Sequence, residues 1–177
     1  MTLKLLIPFC LYFNLILAGA SAEATQLQPK ELPECTVWLF LDPECPICQS
    51  YTLTLREMHE TFAARDVTFR ALYTSPAINK RAIKNFHKQY KIPFAGEIDK
   101  RYRQAERWDA TITPEVVVTS PIGQVLYQGA IDNWYYDLGK NRPEPTEHYL
   151  KDALDAFLAG KPIGKKRTEA VGCLMNR

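Results

Sequence analysis

Thr36-Val37-Trp38-Leu39-Phe40-Leu41-Asp42-Pro43-Glu44-Cys45-Pro46-Ile47-Cys48 joins two opposite patterns. The run from Thr36 to Leu41 is β-branched, aromatic and aliphatic without interruption, which predicts a short strand buried on both faces. Asp42-Pro43 stops it. From Pro46 onward Ile47, Tyr51, Leu55, Met58 and Phe62 recur at spacings of three and four, the signature of a helix with one apolar face. Pro46 suits the first turn of that helix, because its missing N–H is one the turn leaves unbonded anyway. The pair Cys45 and Cys48 is therefore expected where a buried strand turns into a helix.

That placement has chemical consequences. A helix N-terminus presents unpaired N–H groups and a partial positive charge, so it favours a thiolate and lowers the pKa of the first cysteine. Cys45 is expected to attack, and Cys48, one turn further in, to resolve the mixed disulfide. Two other readings compete. Zinc wants four ligands and usually a second close cysteine pair, whereas this chain has one Cys-x-x-Cys and scattered His59, His87 and His148. A purely structural bridge is the other, and position after a buried strand at a helix start favours redox chemistry over it.

Further along, Val67–Tyr73 alternates well enough for a second strand. Ser75-Pro76 is read as opening a second helix capped by Ser75, with Ile78, Ala82, Ile83, Phe86 and Tyr90 on one face. A short helix is expected over 100–108. The runs 115–119 and 124–129, joined by Ser120-Pro121-Ile122-Gly123, read as a hairpin. Residues 133–145 read as an aromatic-rich loop in which Trp134, Tyr135 and Tyr136 either rim a binding surface or pack beneath the loop. Thr146 is expected to cap a last helix with Tyr149, Leu150, Ala153, Leu154, Phe157 and Leu158 on its buried stripe, ended by Gly160. This order predicts an α/β fold with a central mixed sheet flanked by helices on both faces.

The N-terminus reads as a secretion signal over residues 1–22: a positive Lys4, an apolar run from Leu5 to Leu17, and the small-residue site Ala20-Ser21-Ala22. Residues 23–34 form a polar leader, 35–160 the domain and 161–177 a C-terminal tail. About 155 residues remain after the signal, enough for one domain with its own core. The chain carries 22 Lys and Arg against 20 Asp and Glu, a balance that gives no field for nucleic acid. Export implies an oxidising periplasm or other extracytoplasmic space, where Cys35, Cys45, Cys48 and Cys173 are all candidates for bridges or redox work. Cys35 with Cys173 is the expected structural disulfide, stapling the tail to the sheet. The alternative makes Cys173 a third redox cysteine.

The chain resembles the thioredoxin superfamily, and within it the exported redoxin-like proteins. The resemblance rests on the strand running into Cys45-Pro46-Ile47-Cys48, on Thr111-Ile112-Thr113-Pro114-Glu115-Val116-Val117-Val118, and on Gly123-Gln124-Val125-Leu126-Tyr127-Gln128-Gly129-Ala130-Ile131-Asp132, and covers roughly residues 35–160. It implies a thioredoxin-like fold, a thiol–disulfide oxidoreductase, and a cis-proline at Pro114 facing the cysteines. A proline heading a strand is cis at modest cost and leaves Thr113 free to pair with an extended substrate backbone. The implied partners are client proteins with thiols or disulfides and a membrane electron donor; no cofactor is required. Two departures stand out: Glu44 takes the place before the first cysteine where a Trp is common, and its charge should oppose the thiolate. Leu39 stands where many members bury a carboxylate. Copper-delivering relatives give the competing reading, a copper-binding assembly factor without redox turnover, but they space their cysteines one residue wider and add a late histidine, for which His148 is a helical substitute at best.

Overall fold

The computed structural model describes residues 35–175. The expected signal, leader and Cys10 lie outside the described residues. Five strands form the central sheet in the order β3-β2-β1-β5-β6, with β1 (Cys35–Phe40), β2 (Val67–Tyr73) and β3 (Ala95–Ile98) parallel, and β5 (Glu115–Thr119) and β6 (Val125–Gly129) antiparallel to their neighbours. This is the mixed sheet the sequence predicts.

Alternation along the strands sorts the side chains into two layers. Val37, Leu39, Phe69, Ala71, Tyr73, Val116 and Val118 point to one face, where α1 (Pro46–Phe62), α2 (Lys80–Tyr90) and α4 (Tyr149–Leu158) cover them. Phe40, Leu72 and Val117 point to the other, where the short α3 (Arg103–Trp108) supplies Ala105 and Trp108. Helix α1 buries Ile47, Tyr51, Leu55, Met58 and Phe62, the stripe the three-and-four spacing predicts. On the second face Trp108 lies against Trp38 at 5.5 Å and Phe40 at 6.1 Å between ring centres.

Several boundaries differ from expectation for local reasons. The second helix starts at Lys80, because Asn79 accepts hydrogen bonds from Arg81 N and Ala82 N, while Ser75–Ile78 closes into a turn. Ser75 does not cap it. The 100–108 helix breaks into a 3₁₀ turn (Lys100–Tyr102) and α3, with Arg101 and Tyr102 left-handed between them; the buried Asp99 accepts from Gln104 N and Ala105 N and so anchors α3 in place of a conventional cap. The last helix begins at Tyr149 rather than behind a Thr146 cap, since Thr146 is bonded to Asn133. Residues 133–145 are not all loop: β7 (Tyr135–Asp137) and β8 (Lys140–Asn141) pair around Gly139. Trp134 and Tyr135 pack on Tyr51 of α1, while Tyr136 is 54 % exposed.

The edge strand β3 and a second small sheet escaped the sequence. In the latter, β4 (Ile112–Thr113) pairs antiparallel with β9 (Cys173–Leu174), which brings the C-terminal tail back across the molecule. No described helix is long and apolar enough to cross a membrane.

Candidate redox site

Cys45 occupies the N-cap of α1 and Pro46 its first turn, so the thiol sits where the helix's unbonded N–H groups converge. Its Sγ lies 3.4 Å from the carbonyl oxygen of Thr113, a bond it can donate only as the protonated thiol. The Thr113–Pro114 peptide bond is cis. Cys48, one turn in, is wholly buried, and its sulfur accepts from Asp42 N at 3.4 Å. Cys45 and Cys48 are thiols in this structure. Cys45, Cys48, Thr113 and Pro114 thus meet in one place, drawn from two segments more than sixty residues apart.

The two thiols are held at opposite ends of the titration range. A hydrogen bond from the Cys48 thiol, and a further one from Cys173, outweigh burial and bring Cys45 down to about 5 from an ordinary 9.0. Burial, with the neighbouring Cys45, pushes Cys48 well above 9.0. At neutral pH Cys45 is therefore a thiolate and Cys48 a thiol that donates to it. Glu44 does not prevent this: its side chain stands in solvent, and its backbone N–H donates to Asp42 Oδ1 at 2.8 Å.

Leu39 is buried in the core, as is the whole inner face of β1. Near Cys48 the titratable groups are instead Asp42 and the phenol of Tyr73, whose pKa is raised by burial and then by the charges of Cys48 and Asp42. Tyr73 Oη and His87 Nε2 are 2.8 Å apart, and burial lowers the pKa of His87, so the neutral ring accepts from the phenol. The Pro114 loop has its own anchor. Glu115, the next residue, is buried; its Oε2 accepts from Thr111 N, and its Oε1 accepts from Gln128 Nε2, which also donates to the carbonyl of Trp108.

The expected Cys35–Cys173 staple is corrected by the topology. Cys35 begins β1, while Cys173 stands opposite Thr113, beyond the other end of that strand. Six strand residues span roughly 17–20 Å, whereas a disulfide needs Cα atoms within about 7 Å. Cys173 lies instead on the Cys45 side, paired with Thr113, whose carbonyl oxygen is 3.4 Å from Cys45 Sγ. Burial and the Cys45 charge push Cys173 up to about 12. Its pairing was hidden because it is fixed by a two-residue strand; the signal that pointed to it was Gly172-Cys173 inside an apolar patch of an otherwise polar tail. His148 lies at the start of α4 beside Thr54, Met58 and Lys151, away from this cluster.

No protein-family model matches the chain, and no curated protein matches it in sequence. Solved structures do. The chain is similar to an uncharacterized conserved protein from Geobacillus kaustophilus, with a TM-score of 0.73 and 22 % identity over 82 % of this chain and 78 % of that one. A hypothetical protein from Sinorhizobium meliloti gives 0.69 and 20 % over 81 % and 80 %. A candidate thiol:disulfide interchange protein DsbE from Chlorobium tepidum gives 0.57 and 16 % over 72 % and 82 %. Sequence identities this low speak for architecture alone, and the architecture they share with this strand order and this strand-to-helix turn is the thioredoxin-like fold, which the chain adopts.

Proposed function

We propose that the protein is an exported thiol–disulfide oxidoreductase that exchanges disulfides with client proteins through Cys45 and Cys48. The observation that carries the reading is the placement of the cysteines: Cys45 at a helix N-terminus, 3.4 Å from the carbonyl oxygen that precedes the cis-proline Pro114, with the buried Cys48 one turn further in. Cys45 attacks a client disulfide, forming a Cys45–client bond and releasing one client sulfur as a thiolate. Cys48 then gives up its proton and attacks Cys45, closing Cys45–Cys48 and freeing the second client sulfur; the reverse sequence oxidises a client dithiol. Thr113 and Pro114 border Cys45 and position the incoming chain. The signal over residues 1–22 supports work in the periplasm or another extracytoplasmic space, with the domain over 35–160 and a membrane donor or acceptor restoring the pair.

Equilibration in glutathione buffers tests this. A reversible two-electron couple is expected that disappears in Cys45→Ser; its absence from the unaltered chain would overturn the reading.

A further inference from the structure

Cys45 is only 3 % exposed, which is unusual for a nucleophile that has to meet other proteins. Beside it, at the Thr113 carbonyl, runs the chain's own C-terminal segment. Strand β9 runs antiparallel to β4 with Cys173 directly opposite Thr113 and Leu174 opposite Ile112, and Met175 N donates to Thr111 O at 2.9 Å. An extended client would have to add at this same edge, ahead of Pro114 and beside Cys45. The tail holds that place already, and it holds it with a cysteine paired to Thr113, whose carbonyl oxygen lies 3.4 Å from Cys45 Sγ.

The approach is built into the backbone at two glycines. A Cβ on Gly172 would stand 2.1 Å from the Thr113 carbonyl oxygen, and one on Gly129 would stand 2.2 Å from the Thr168 carbonyl oxygen. Between these points the segment is tied by Thr168 N to Gln128 O, by Gln128 N to Lys166 O, and by Thr168 Oγ1 to Ala130 N and Tyr127 Oη. On either side lie open grooves of about 480 and 650 Å³, both bordered by Glu169 and Ala170. The segment is therefore fixed at its root and at Gly172-Cys173, and sparsely packed between them. Leu174 is 78 % exposed beside the site.

We propose that the C-terminal strand is an internal client, and that Cys173 is a third redox cysteine that exchanges with the Cys45–Cys48 pair while β9 occupies the client's place. This rests on the oxidoreductase reading. In the oxidised protein the Cys173 thiolate attacks Cys45 Sγ; the Cys45–Cys48 bond breaks, Cys45–Cys173 forms, and Cys48 leaves as a thiolate that takes up the proton Cys173 gave. No electrons are gained or lost. An external client reaches Cys45 only when β9 leaves the Thr113 edge.

The full chain carrying Cys48→Ser is exposed to oxidised glutathione, quenched in acid and mapped without reduction by mass spectrometry. Cys45 first takes glutathione, and Cys173 then expels it, so a Cys45–Cys173 linked peptide is expected to replace the adduct. Adding Cys173→Ser should leave the adduct in place. Adding Gly172→Ala, which keeps both thiols but forces the strand off Thr113, should cause loss of the linked peptide. A Cys48→Ser chain that retains glutathione on Cys45 with Cys173 reduced would overturn the proposal, as would a linked peptide indifferent to Gly172→Ala. Circular dichroism checks the fold of each variant, and partly oxidised unaltered protein provides a second reading: both Cys45–Cys48 and Cys45–Cys173 peptides are expected there. If the unaltered chain shows a reversible Cys45–Cys48 couple but never the second peptide, the internal client is refuted while the oxidoreductase stands; if it shows no reversible couple, the oxidoreductase reading itself fails.

Discussion

At Cys45 a small set of neighbouring groups sets the acidity of the thiol. A thiol at about 5 should react with iodoacetamide at a rate that rises through a midpoint near that pH and then levels off, rather than climbing toward 9.0. Stabilising the thiolate also stabilises the dithiol form over the disulfide. Because the reactive cysteine of thioredoxin sits at about 7, the more acidic Cys45 is expected to make this couple more oxidising than thioredoxin's value of about −270 mV. A potential at or below −270 mV would contradict this account of the thiolate. The same shift links to folding. Between about 5 and 9.0 the folded dithiol form has released the Cys45 proton while the unfolded chain keeps it, so stability rises with pH across that window and is lost as pH falls through about 5. His87, lowered from 6.5 by burial, acts in the same sense: its contribution is complete above 6.5 and fades on acidification. Urea denaturation from pH 5 to 8 should show a steeper slope for the reduced protein than for the disulfide form, which keeps only the His87 part.

Elements here are positioned by a few buried polar contacts laid over apolar stripes. Tyr51 on α1 donates to the buried Asp132 at 2.5 Å, and Asp132 also accepts from Trp134 N, so the aromatic cluster of residues 134–135 is tied to the helix that carries the cysteines. Tyr51→Phe leaves Asp132 short of a donor and is expected to cost about 1–3 kcal/mol by denaturant titration. Leu55→Ala, at a fully buried position on the same helix, should cost about 2–5 kcal/mol. Asn79→Ala removes the acceptor for two N–H groups of α2 and should cost about 1 kcal/mol, whereas Ser75→Ala, at the position the sequence alone suggests, should not touch that helix. The comparison distinguishes the two start points directly.

For the whole molecule, the tail closes the second face as well as the site. Met175 packs against the cluster of Phe40, Trp108 and Val117, and the residues just before it pair with Thr113 beside Cys45. Removing residues 161–177 is therefore expected to lower the thermal midpoint and to speed alkylation of Cys45 at fixed pH; an unchanged rate would mean that the tail does not shield the thiol. Charged surface pairs contribute little to this balance. Arg65–Asp155, Arg70–Glu97 and Lys151–Asp155 are half-exposed ion pairs, each worth no more than about 1 kcal/mol.

The sequence by itself determined β1, α1 and β2, the hairpin of β5 and β6, and the junction that carries Cys45 and Cys48. Each is written in local periodicity: unbroken apolar runs for buried strands, three-and-four spacing for α1, proline and glycine at the turn. Only tertiary structure decided where α2 starts, that residues 95–98 form an edge strand, and that Cys173 stands opposite Thr113, at the far end of β1 from Cys35. The α2 cap competes between two nearby polar residues, and β3 is a four-residue edge whose alternation is weak. The Cys173 pairing depends on a two-residue ladder made possible by Gly172 lying against Thr113. Such contacts join residues about sixty apart and carry no periodic trace, because their energy lies in a backbone approach that exists only once the sheet has formed.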